Sequence, residues 1–309
     1  YRRQRQMCIR DRLGTYSMFI ADLIVRCSIE IEALSKELYC TLGGNMTPTD
    51  DQGNPRDLYF DTDCLDLLEQ KWSLSKKQIV VSAINIYFSE ERNRTLTPLH
   101  KAYKRGTSGS KWKQAYQAVK HDRKKTLKKA SIENLLHALG ALYILNLYYT
   151  DERTDIGRVY LSDHDFDNRA GSELFSAHYC RATGLSMQPH MDDSCITPSL
   201  GDELDKAIFI IKYDDKSFKE MHKNCCLDHK ITAERFSKSQ EIKKFLEDNP
   251  EYIGKTINEI CMAAGGVGLL TRIICLQNTM NEKSSRIEAV LNKHNGIYPE
   301  LLPLEDDNK

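Results

Sequence analysis

Apolar residues recur at three- and four-residue spacing through Leu23, Ile24, Cys27, Ile31, Leu34 and Leu38, with Arg26, Glu30, Glu32, Lys36 and Glu37 between them. That period places one apolar stripe along a helix over residues 18–42, which Gly43-Gly44 ends. A second strong constraint is SIENLLHALGALYILNLYY, residues 131–149, an apolar helix with Ser131 as its cap and Asp151-Glu152 as its exit. Between them, residues 61–72 form a short helix capped by Asp61 or Thr62. Another helix starts near Ser110 and carries Trp112, Tyr116 and Val119 inward. Residues 78–88, QIVVSAINIYF, fit a strand or a buried helix about equally.

The remainder is more polar. Residues 172–181 and 207–213 read as two strands, in the manner of a hairpin-like insertion. Helical patterns return at 216–227, 239–248, 257–276 and 282–293, with Asn249-Pro250 as a start signal and Asn295-Gly296 as a stop. The expected fold is therefore mainly α. A helical bundle covers 13–152, a polar insertion with short strands covers 153–215, and a C-terminal helical part covers 216–309 and packs back onto the bundle.

Residues 1–12 stand apart. RRQRQMCIRD, residues 2–11, reads as the one-frame translation of a transposase sequencing adapter, so the segment is set aside from fold reasoning and the natural N-terminus is expected to lie elsewhere. It holds five arginines and one aspartate, which leaves 39 basic and 43 acidic residues in the rest, a net of −4. A generic nucleic-acid binder is usually strongly basic, so any RNA contact has to be a local patch. Hydrophobic content of 40 % is enough for a packed core. No apolar run reaches the roughly 18–20 residues that span a bilayer. Setting Cys8 aside, the cysteines are odd in number and lack CxxC spacing, which points to reduced thiols in a cytoplasmic protein.

Few motifs carry chemistry. His222, Cys225, Cys226 and His229 crowd into HKNCCLDH, but no second cluster exists to complete a zinc site, and no metal is expected. Asp163, His164, Asp165 and Asp167 read as a solvated turn. Gly265, Gly266 and Gly268 have no preceding strand, so they are not a dinucleotide fingerprint, and no cofactor is expected. Arg94–His100 and Arg158–His164 repeat the spacing of arginine, five residues and histidine without a helix to carry it. In KRGTSGSK, Lys104, Arg105, Ser110 and Lys111 precede a helix start, where free N–H groups and cations suit a phosphate or the RNA backbone. Further along, YQAVKHDR sets His121 among Lys120, Asp122 and Arg123. An imidazole titrates near ~6.5 and can serve as a base at neutral pH.

WKQAYQAVKHDR and RCSIEIEALSKELY together resemble HEPN-domain proteins, bacterial helical bundles common in toxin–antitoxin and phage-defence systems. The resemblance covers residues 16–150. It implies a homodimer, metal-independent cleavage of RNA with His121 as base, and a phosphate-supporting arginine on the same helix. That arginine position is Tyr116 here, which supplies no permanent charge. Lys120 and Arg123 would have to compensate, and both would need a helix end to converge on His121. The resemblance thus implies either a ribonuclease or a catalytically silent module binding a protein partner such as an antitoxin, a nucleotide or RNA.

Overall fold

The computed structural model describes residues 13–86, 88, 90–158, 166–183, 198–280, 285–294 and 297. The adapter-like segment, Asp163, His164, Asp165 and the 295–296 stop lie outside the described residues. Helix α1 (Met18–Thr41) begins at Ser17, whose hydroxyl accepts from the Ile20 amide at 3.2 Å. Its buried face carries Ala21, Ile24, Cys27, Ile31 and Leu38. Two serines on that face return their hydroxyls to the helix, Ser28 to Ile24 O and Ser35 to Ile31 O, so neither is left unsatisfied. A π-helical turn over 60–65 leads into α2 (Asp66–Trp72). Helices α3 (Lys111–Thr126) and α4 (Ile132–Thr150) complete a three-way packing with α1. The Trp72 ring stacks on Tyr148 of α4 at 4.8 Å.

The mainly α expectation is overturned, because two sheets are built into the structure and the fold is mixed α/β. The strands are β1 (Ile79–Val81), β2 (Thr95–Leu96), β3 (Thr154–Arg158), β4 (Phe175–Ala177), β5 (Tyr179–Arg181), β6 (Phe209–Tyr213) and β7 (Arg286–Leu291). One antiparallel sheet has the order β2-β1-β4. The other has the order β3-β7-β6-β5, antiparallel except where β5 runs parallel to β6. Residues 175–181 pass from the first sheet to the second at His178. The His178 amide donates to Gln78 O, and its carbonyl accepts from the Ile208 amide. The stretch expected as one strand near 172–181 thus splits into β4 and β5 of two sheets, and the strand expected near 207–213 is β6, which runs parallel to β5 and so forms no hairpin with it.

The clearest reversal is residues 282–293, expected as a helix. RIEAVL forms β7, with Ile287, Ala289 and Leu291 buried and the alternate residues less so. Glu, Ala and Leu favour helices locally, but pairing with β6 on one side and β3 on the other overrides that preference.

Between β6 and β7 the chain inserts α6 (Asp215–Lys238), α7 (Gln240–Asp248), α8 (Ile257–Ile273) and α9 (Gln277–Met280), with α5 (Pro198–Lys206) lying before β6. The insertion has its own core of Ile242, Ile260, Cys261, Leu269 and Ile273. Helix α6 runs past the expected end at 227 because buried Asp228 and Thr232 hold the chain after α8. Asp228 accepts from Cys275 Sγ and Asn278 Nδ2, and Thr232 accepts from the Cys275 amide. Helix α8 breaks at Gly266, whose φ of 62° is left-handed.

Candidate functional site

Helix α3 and the loop before it carry every residue that the sequence singled out for phosphate or RNA chemistry. The loop is shaped by a buried ion pair joining residues 52 apart. Lys113 points back from α3, and its ammonium meets Asp61 Oδ2 at 3.0 Å, Ala102 O at 2.6 Å and Lys104 O at 2.9 Å. Burial alone would push the Asp61 carboxyl up, but the Lys113 charge and its hydrogen bond outweigh it and hold the carboxyl below its usual range. Burial pulls the Lys113 ammonium down, against the pull of Asp61. Gly109 fits here because a Cβ would lie 2.6 Å from Lys104 O.

The four loop residues have different fates. Arg105 donates to Asp61 Oδ1 and stacks over Tyr59 at 3.5 Å, so it is committed to structure. Lys104 and Lys111 are exposed, and Lys111 makes only a loose pair with Glu133 at 4.0 Å. Ser110 is the N-cap residue of α3 but its hydroxyl caps nothing; it is buried and has no hydrogen-bond partner. The first turn of α3 is therefore uncapped by a side chain, with its N–H groups next to two exposed lysines.

The second group lies eleven residues on, about 16 Å along a helix at ~1.5 Å per residue. The structure does not bring the two groups into one site. Tyr116 is buried with Val119, Ala21, Ile24 and Ala130 between α3 and α1, so it holds the helix in place and cannot reach a phosphate. Lys120 is exposed, with its ammonium 5.5 Å from the Tyr116 ring. His121 is exposed at the last position before Asp122, where φ of −146° and ψ of 77° break α3. Asp122 Oδ1 then accepts from the Lys125 amide, capping the next turn. The irregularity required for convergence is present, but Arg123 is drawn to Asp22 of α1 at 2.6 Å instead of to His121.

The stronger feature of this region is its charge. Residues 101–129 contain eleven lysines and arginines and one aspartate. Lys120, Lys124, Lys125, Lys128 and Lys129 are all exposed. Among the described residues Lys124, Lys128 and Lys129 have no ion-pair partner, and Lys125 reaches Asp122 only at 3.6 Å. The run KKTLKK is legible in the sequence as a charge block.

The other candidates hold little. Cys226 Sγ lies 3.8 Å from both ring nitrogens of His222, while Cys225 is buried and His229 exposed, and among the described residues no group of metal ligands converges. No described helix is long and apolar enough to cross a membrane. Comparison with protein-family models, curated proteins and solved structures finds no match.

Proposed function

We propose that this chain binds RNA through its phosphates along the basic ridge of α3, as a module that does not itself cleave. The observation that carries this reading is the charge of residues 101–129, eleven cations against one anion in a chain of net zero charge. Lys113 is buried and Arg105 and Arg123 are paired within the fold. The eight other cations are exposed lysines on α3 and its flanks, a concentration that suits a polyanion, whose binding releases condensed counterions. The uncapped first turn of α3 adds oriented N–H groups at one end of the ridge. The silent form of the reading is favoured by Tyr116 and Arg123. The first is buried and the second is held by Asp22, so neither serves a phosphate beside His121.

Cleavage is the second reading. It is favoured by the exposure of His121 at the break in α3, amid the cations. In that reading the protein is a cytoplasmic homodimer of the HEPN type, with an antitoxin as a protein partner. Two basic ridges facing each other repel, so such a dimer would close on RNA rather than ahead of it.

Lys124→Glu, Lys125→Glu and Lys128→Glu together are expected to weaken binding of a single-stranded RNA 20-mer at least ten-fold in fluorescence anisotropy. His121→Ala is expected to leave binding unchanged. RNA cleavage that persists in EDTA and disappears in His121→Ala would replace the silent reading with the nuclease.

A further inference from the structure

The opposite end of α4 carries a cleft of about 380 Å³, between its last two turns, the turn into β3, the 166–172 loop and β6. Its size lies at the small end for small-molecule sites. Three aromatic rings form the apolar wall, Tyr143, Phe166 and Phe209, and Phe166 meets Phe209 edge-on at 5.1 Å. The Tyr143 hydroxyl donates to Arg169 O at 2.9 Å, which fixes its ring against the loop. The loop is closed on itself by Ser172 N to Arg169 O and is tied to β4 by Asn168 Nδ2 to Ala177 O.

Most polar groups facing the cleft are already engaged. Asn146 donates to Leu142 O, Thr150 donates to Leu147 O, and Ser172 Oγ accepts two loop amides. Besides the Thr154 hydroxyl, two carboxylates remain, one just after α4 and one in the 166–172 loop. Glu152 has no partner among the described residues, and Asp167 uses Oδ1 for the Arg169 amide and keeps Oδ2. The adjacent Asp151, by contrast, is already paired with Lys293 at 2.6 Å. No lysine, arginine or histidine is among the described lining residues.

We infer that this cleft binds a small aliphatic amine, with its methylene chain on the aromatic wall and its ammonium groups toward Glu152 and Asp167. Aromatic faces attract cations, and carboxylates contributed by two different segments of the lining suit a molecule with more than one ammonium. A bare magnesium or calcium ion is a poor fit, since each needs six or more oxygens at close range and three of the groups here are rings. Phosphates are repelled by the two acids, so this site is independent of the α3 ridge and stands whether or not the ridge binds RNA.

Isothermal titration calorimetry of the full, RNA-free chain with putrescine tests the inference, with magnesium chloride as the comparison. Saturable binding of one putrescine per chain is expected. It should weaken at least ten-fold in Glu152→Gln with Asp167→Asn, where the exposed amides keep the fold. Phe166→Leu should weaken it several-fold with unchanged circular dichroism. Absence of saturable heat at millimolar putrescine, equal affinity in the double amide variant, or displacement by equimolar magnesium would each overturn the inference.

Discussion

Lys77 is fully buried, and its ammonium finds the Asp205 carbonyl at 3.2 Å. Burial brings its pKa down to about 8 from 10.5, more than the nearby Asp205 charge can restore. The unfolded chain keeps this proton up to about 10.5, so between those values it binds more protons than the folded chain. Stability from this residue therefore rises with pH across that window, is full above it, and is lost as pH falls through about 8. At pH 7 the protein carries the cost of a buried charge, on the order of 3 kcal/mol. Lys77→Met is expected to stabilise the protein at pH 7 in urea melts, and its advantage over wild type should shrink between pH 8 and pH 10. Comparing the two proteins at each pH cancels the buried thiols and phenols that titrate in the same range. The same logic explains why Lys113 was not legible as a site-builder: its role depends on Asp61, and nothing in the local spacing joins them.

At the scale of elements, helices were legible where a stripe of apolar residues repeats. Helices α1 and α4 both begin at a serine cap, Ser131 as the sequence marks it and Ser17 as the structure adds. Strands were legible only in part: 207–213 and 172–181 read as strands and hold β6 and β4 with β5, whereas β1 stays open between strand and helix and β2 is missed, since elements of two or three residues are too short for alternation to register. Their identity comes from pairing, as β1 shows by lying between β2 and β4. Helix α4 closes over this sheet at Gly140, where a Cβ would lie 2.6 Å from Ile79 Cδ1 and 2.8 Å from Pro98 Cγ. Gly140→Ala improves helix propensity by about 1 kcal/mol and overpacks this contact by about 1–3 kcal/mol. Packing wins in a site whose partners are a buried isoleucine and a proline ring, so a net loss of up to about 2 kcal/mol is expected in denaturant melts. A gain in stability would mean that the sheet yields to α4.

At the scale of the whole molecule, charge is divided. Outside residues 101–129 the chain holds 33 basic and 43 acidic residues, so the net zero charge conceals a basic ridge on an acidic body. Overall charge was therefore a poor guide, whereas a windowed count would have found the ridge. The residues chosen by motif were scattered by the fold: Tyr116 to the core, Arg123 to Asp22, Arg105 to Asp61, with His121, Lys120, Lys104 and Lys111 left exposed. The amine cleft, with its two carboxylates, lies on the acidic body and was invisible because its walls come from three separate stretches of chain.

The salt dependence of RNA affinity tests the central claim most directly. Each neutralised phosphate contributes about −0.7 to the slope of log affinity against log salt for a single strand. With wild type and the Lys124, Lys125 and Lys128 charge-reversal variant measured side by side, any contribution from the arginines of residues 1–12 cancels. The account predicts that the wild-type slope is steeper than the variant's by about 2, three phosphate contacts at that value. Equal slopes would contradict it and show that RNA, if bound at all, is held elsewhere.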